Sequence, residues 1–174
     1  MITVKQAKID ELNMIVNFYS DLIDSMNNAE FKPAWKMGVY PTEQLFYYAI
    51  KQQTLYLAYL ENCLVGALIL NHNCEPEYEK MKWQTDAKKD EVIIVHLLGV
   101  SAAYQKKGVG KQIVANVIEI CKKNQIKAIR LDVLKQNVPA AKLYLSMGFK
   151  YIDSIKMYYE DTGWTDFLLY ELVL

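Results

Sequence analysis

The chain has no surplus of either charge: twenty lysines and arginines balance twenty aspartates and glutamates. That removes the usual basis for general nucleic-acid binding, which needs a basic surface. Cysteine is scarce. Cys63, Cys74 and Cys121 are an odd number, and no two form a Cys-x-x-Cys pair. Free thiols in a reducing cytosol are therefore expected rather than disulfides or zinc. No apolar run is long enough to span a bilayer, and the N-terminus lacks a signal-peptide pattern. Met1-Ile2-Thr3-Val4 reads as the start of a strand instead. The expectation is a soluble, cytoplasmic protein with neither nucleic acid nor membrane as a partner. Repeats and low-complexity segments are also missing. The 174 residues, 52% hydrophobic, suffice for one well-buried domain spanning 1–174.

The hydrophobic pattern alternates between strand and helix periods. Ile2 to Lys8 reads as a strand. Asp10 is placed to cap a helix through Met26, with Leu12, Ile15, Val16, Tyr19 and Ile23 on one face. Asn27 to Val39 reads as a loop, and Pro41-Thr42 opens a helix to about Gln52. Leu55 to Leu60 and Leu64 to Asn71 form a hairpin turning at Glu61-Asn62. Asn73 to Asp90 is a polar insertion around Trp83 that can be helical. Glu91 to Val100 is a long buried strand, and Val109 to Lys123 is a helix lying on a sheet. Ala128 to Leu134 is a strand, Val138 to Met147 a helix, and Lys150 to Tyr159 and Phe167 to Leu174 are the last strands. The order β-α-α-β-β-β-α-β-α-β-β gives an α/β fold: one mixed sheet with helices on both faces.

The turn Gln105-Lys106-Lys107-Gly108-Val109-Gly110-Lys111 stands between the long strand and the helix that follows. A glycine-rich turn at a helix start presents backbone N–H groups and the positive end of the helix dipole, which suits a phosphate. Gly108 and Gly110 allow close approach, and Lys106, Lys107 and Lys111 add charge. It is not a P-loop, because Gln112 follows Gly110-Lys111 and Gln105 stands where the earlier glycine belongs. Nor is it a Rossmann turn. Ile113 replaces the third glycine, Ser101 to Lys107 separate strand from turn, and Asp132 as a ribose contact fails with it.

The run Leu97-Leu98-Gly99-Val100-Ser101-Ala102-Ala103-Tyr104-Gln105-x-x-Gly108-x-Gly110 resembles the cofactor segment of the GNAT family of N-acetyltransferases. A second segment, Asn137 to Phe149 with Ala140, Ala141, Tyr144 and Gly148-Phe149, resembles that family's later motif, in the family's order. The resemblance covers most of Val92 to Phe149. It implies a GNAT-like fold and acetyl-CoA as cofactor. The pyrophosphate would meet Gln105, Lys106, Lys107, Gly108, Val109, Gly110 and Lys111. The pantetheine arm would pair with the backbone of Leu98, Gly99 and Val100, where the family's strand splays from its neighbour. Gly99 would ease that distortion, and a backbone N–H near Leu98 would serve as an oxyanion hole.

Asn137, Ala140 and Tyr144 fall at helical spacing on one face, so small Ala140 leaves room for Tyr144 to reach the sulfur. The family's tyrosine at this place is a general acid, and Tyr144 inherits that expectation beside the alternative of a core tyrosine. The base is less plain. Val92, Ile94, His96, Leu98 and Val100 share one face of a regular strand, and His96 is the leading candidate through its near-neutral reference pKa. A core histidine bonded to backbone is an equal reading, with Glu43, Glu91 and His72 as weaker bases. The acceptor, a small-molecule or peptide amine, would meet aromatics among Trp35, Tyr40, Tyr47, Tyr48, Trp83, Tyr158, Tyr159 and Trp164. Exposed strands and surplus aromatics also allow a homodimer. The competing function is a non-catalytic acyl-CoA-binding or sensing domain of the same fold.

Overall fold

A computed structural model describes residues 1–27 and 34–174. The loop expected from Asn27 to Val39 falls partly outside the described residues, at positions 28–33. The strands are β1 (Ile2–Gln6), β2 (Leu55–Leu60), β3 (Cys63–Asn71), β4 (Val92–Val100), β5 (Ala128–Leu134), β6 (Lys150–Tyr159) and β7 (Gly163–Val173). The α-helices are α1 (Leu12–Ser25), α2 (Glu43–Lys51), α3 (Val109–Lys123) and α4 (Val138–Ser146). Among the described residues no helix is long and apolar enough to cross a membrane.

Local chemistry sets most boundaries. Thr42 caps α2 by accepting from the Leu45 N–H at 3.1 Å. At the start of α1, Glu11 rather than Asp10 does this work, its carboxylate taking the Lys8 N–H at 2.8 Å. The reason is a short 3-10 turn, Ile9–Glu11, that precedes the helix. The 73–90 insertion is not an α-helix; it holds 3-10 turns at Pro76–Lys80 and Lys89–Glu91. The final strand begins at Gly163, earlier than the sequence suggested. Polar Thr165 and Asp166 read as loop, yet they pair across to Met157 and Lys156.

The strands form one mixed sheet in the order β1-β2-β3-β4-β5-β7-β6. Only β4 and β5 run parallel, and they pair only where Val92–Ile94 meets Ala128–Arg130. Beyond that point β4 continues to Val100 paired only with β3, and β5 to Leu134 paired only with β7, so a split opens between them in the middle of the sheet. α3 and α4 cover one face. Val109, Ile113, Val114, Val117 and Cys121 of α3 and Tyr144 of α4 pack there against Ile129, Leu131 and Val133 of β5. The other face has two separate covers. α1 and α2 lie over Leu55, Leu57, Ala67 and Ile69, while the insertion lies over Val92, Ile94, Ala128 and Leu169.

The insertion is held by charge as well as by apolar contact. Arg130 donates to fully buried Glu171 at 2.9 Å and to the Thr85 carbonyl at 2.9 Å. Its guanidinium lies 4.3 Å from the centre of the Trp83 ring. Glu171 also accepts from the Gln84 N–H at 2.6 Å. Removing one partner of such a pair strands the other charge away from water. Arg130→Leu is therefore expected to cost about 3–5 kcal/mol of stability, read by urea denaturation. A loss below about 1 kcal/mol would show that the pair is not what holds the insertion.

Candidate active site

β4 is not a regular strand. Its pairing with β3 runs Ile69 to His96 and then Ala67 to Gly99, so Leu97 and Leu98 together oppose Leu68. This is a β-bulge, with Leu97 in the left-handed region at φ 54°. The expected common face of Val92, Ile94, His96, Leu98 and Val100 is thereby broken. Val92 and Ile94 lie under the insertion. Leu98 and Val100 lie on the α3 side.

The bulge turns one peptide out of the ladder. The Leu97 carbonyl accepts from the buried Tyr19 hydroxyl of α1 at 2.6 Å. A trans peptide sets C=O and N–H antiparallel, so the Leu98 N–H points away from α1. Gly99 directly follows the bulge and also makes room for α1, since a Cβ there would lie 2.7 Å from Leu22 Cδ2 and that side chain would have to shift.

The glycine turn sits at the mouth of the split. Lys106 and Gly108 both have positive φ, 59° and 77°, and Gly108 is the residue before the first turn of α3. The first backbone N–H groups of a helix lack intrahelical partners, so the turn offers donors at the positive end of α3. Lys106, Lys107 and Lys111 are exposed around it. Val109 contributes backbone only, because its side chain is in the core. Gln105 donates through Nε2 to the Val100 carbonyl at 3.0 Å, which ties the turn to the end of β4. Gly110 lets α4 approach; a Cβ there would meet Leu143 at 3.2 Å. Asn137 caps α4, accepting from the Ala140 N–H at 3.1 Å.

Gly108 offers the cleaner mutational test, since nothing lies within 4 Å of its virtual Cβ. In Gly108→Val the β-branched side chain cannot hold φ 77° without strain of about 1–3 kcal/mol. The turn should rearrange while the fold persists, and CoA affinity should drop by at least about tenfold. Calorimetry that finds unchanged affinity in the folded variant would remove the turn from the cofactor site.

Tyr144 is 6% exposed, and its ring meets Phe149 edge-on at 5.3 Å. Its hydroxyl makes no hydrogen bond among the described residues. No fully enclosed side-chain polar atom there lacks a partner, so this hydroxyl reaches solvent. Burial raises its phenol, and the negative charge of Asp132 raises it further. The group stays protonated near neutral pH and can donate.

Asp132 is the residue that the sequence did not single out for chemistry. It lies on β5 beyond the paired segment, on the face opposite Leu131 and Val133. The Tyr78 hydroxyl donates to Oδ2 at 2.7 Å. Burial pushes its carboxyl up to about 6; the Tyr78 bond opposes that shift and the charge of Glu75 adds to it. The signal available in the sequence was strand alternation, which separates Arg130 and Asp132 from the apolar residues facing α3. The insertion that supplies Tyr78 carried no such signal.

His96 forms part of the floor of a cavity of about 240 Å³ bounded by Tyr40 and Leu45 on one side and Cys74 and Glu75 on the other. Its Nε2 lies 3.0 Å from Asn71 Oδ1 and 3.1 Å from the Asn73 carbonyl. Both are acceptors, so Nε2 carries the proton and donates. Burial lowers the imidazole's pKa against the opposing Asn73 bond, keeping the ring neutral. The weaker bases are engaged or peripheral. Glu91 pairs with Lys127 at 2.7 Å, His72 Nδ1 bonds the Val92 carbonyl at 2.7 Å, and Glu43 is exposed on α2. Of the aromatics, Trp35 joins the Tyr19 cluster. Trp83 lies beneath Arg130, and the pairs Tyr47–Tyr48 and Tyr158–Trp164 are exposed. Tyr40 and Tyr159 instead stand near Asp132, whose charge acts on both after burial has raised them.

The profile of the acetyltransferase (GNAT) family matches residues 20–149, and the chain belongs to that family. Acetyl-CoA is the family's cofactor. The chain is 30% identical over 69 residues to the N-alpha-acetyltransferase RimI of Mycobacterium tuberculosis. That match spans 40% of this chain and 42% of the relative. A GNAT-family acetyltransferase from Streptococcus agalactiae superposes with a TM-score of 0.83 at 15% identity, covering 99% of this chain and 95% of that one. The yncA protein of Salmonella typhimurium, solved with its cofactor acetyl-CoA, superposes with a TM-score of 0.68 at 16% identity, covering 100% and 94%.

Proposed function

We propose that this protein is an acetyl-CoA-dependent N-acetyltransferase that moves the acetyl group to a primary amine by direct attack in a ternary complex. The observation that carries the reading is the split itself, with the unpartnered Tyr144 hydroxyl on one side and Asp132 on the other. Cofactor binding draws on the turn donors, the lysines around them and the strand edge at Leu98, Gly99 and Val100. Because the Val100 carbonyl already accepts from Gln105, the amides of the arm use the remaining groups. Asn137 and Ala140 shape the wall from which Tyr144 projects.

The amine must lose a proton to attack. Asp132 takes it, directly or through water, because its raised carboxyl is ionised at neutral pH and still basic enough to accept. His96 was the first expectation for this step. Its Nε2 is committed as a donor and burial weakens the ring as a base at Nδ1, so in this reading it shapes the acceptor cavity. The nitrogen attacks the thioester carbon, and the oxygen's developing charge is met by the Leu98 N–H. As the intermediate collapses, the carbon–sulfur bond breaks and Tyr144 protonates the departing thiolate. No acyl-enzyme is required. Initial rates measured while varying both substrates should give intersecting lines; parallel lines would mean a covalent intermediate. An amine panel that releases no CoA would favour the non-catalytic acyl-CoA-binding alternative.

A further inference from the structure

Resting on Asp132 as the base, we propose that Tyr78 is its positioning residue, and that the insertion from 73 to 90 serves catalysis by delivering it. Tyr78 holds one carboxylate oxygen and leaves the other to take the amine proton. Its hydroxyl donates to Asp132 Oδ2 at 2.7 Å. Tyr78 is 2% exposed, so the bond is sheltered from water. Oδ1 has no hydrogen-bond partner among the described residues. No fully enclosed side-chain polar atom there lacks a partner, so Oδ1 is open. An ionised carboxylate only accepts, and its plane turns broadly about the last side-chain torsion unless something fixes it. The bond at Oδ2 fixes that plane, and an incoming proton lands on Oδ1.

Tyr78 is itself held. It sits in the 3-10 turn Pro76–Lys80, and its carbonyl accepts from Trp83 Nε1 at 2.8 Å. Its ring tilts against Trp83 with centroids 5.2 Å apart. Trp83 lies in turn on Arg130, which is bound to Glu171. A chain of contacts thus leaves β5 at Arg130 and returns to β5 at Asp132 through Tyr78. Attachment alone does not ask for a carboxylate at that end. An asparagine would take the same hydroxyl bond with no charge to desolvate. The titratable groups around Asp132 are Glu75 and Tyr78 of the insertion, Tyr40 ahead of α2, Tyr144 of α4 and Tyr159 of β6. Tyr159 and Cys74 border Tyr78. Burial raises the tyrosines, which stay protonated. Of all these groups, Tyr78 is the one that donates to the carboxylate.

Tyr78→Phe keeps the ring against Trp83 and removes the donor. The Asp132 carboxyl titration, read by carbon NMR, and the acidic limb of kcat/KM should both move up by about one pH unit, the scale of a hydrogen bond to a charged group. The plateau above that limb should fall by roughly tenfold or more as Oδ1 loses its aim. A 3-fluorotyrosine placed at position 78 is a stronger donor in nearly the native shape, and should move titration and limb down instead. A cap that merely holds the fold moves neither. If titration and limb stay put in both variants, the inference is overturned and Asp132 as base is untouched. A wild-type plateau in Tyr78→Phe would overturn the positioning even with the limb displaced. If the titration moves while the limb does not, Asp132 is not the base: the catalytic reading fails and the bond from Tyr78 stands.

Discussion

Tyr144→Phe is expected to lower turnover by roughly one to three orders of magnitude, the scale of general acid catalysis, with CoA affinity unchanged. Phenylalanine keeps the ring that packs edge-on against Phe149, so the core side of α4 is preserved. Only the hydroxyl is lost, and it holds no partner whose loss would disturb the fold. Any decrease in rate therefore reports the departing thiolate rather than unfolding. Turnover at the wild-type rate would make Tyr144 a packing residue. A matched loss of CoA affinity would instead place the hydroxyl in ground-state binding.

Asp132→Asn should move activity and stability in opposite directions. A raised carboxyl means that the folded state binds the proton more tightly than the unfolded chain does. Stability contributed by this group therefore falls as pH rises from about 4 to about 6 and stays reduced above that. Asparagine has no charge to desolvate, and its Oδ1 can still accept from Tyr78. The relief at pH 7.5 has an upper bound of about 2–3 kcal/mol, or several degrees in Tm, and it should vanish near pH 4. Turnover should fall by about 10²–10⁴-fold, the loss typical of a general base. In the wild type, kcat/KM should rise with pH through about 6, and that limb should be missing from the variant. If instead it survives Asp132→Asn and disappears in His96→Gln, the base is His96.

Much of the fold was legible because its signals are local. The apolar period of α3, the Thr42 cap and the two-residue β2–β3 turn each declare themselves within a few residues. The glycine turn was legible for the same reason, since positive φ at Gly108 is a property of one position. The β4 bulge was not. Leu97 is an ordinary strand residue whose left-handed backbone is fixed by Tyr19 of α1, 78 positions away. His96 consequently took the wrong set of neighbours in a reading that assumed strict alternation. Asp132 was weighed only as a ribose contact, and its place as a base was missed because its environment is assembled from distant pieces: Tyr78 and Glu75 from the insertion, Tyr144 from α4. The insertion itself looked merely polar, and its attachment through Arg130 and Glu171 joins residues 41 positions apart.

The most direct test is backbone amide exchange with and without CoA, since the central claim is that the split between β4 and β5 is the cofactor site. Protection is expected at Leu98 to Val100 and from Lys106 to Lys111, where the arm and the pyrophosphate would lie. A second groove, of about 600 Å³ and lined by Gln6, His72 and Asn124 among others, lies elsewhere on the molecule and should stay unchanged. Protection of that groove, with the β4 edge and the glycine turn unaffected, would contradict the claim.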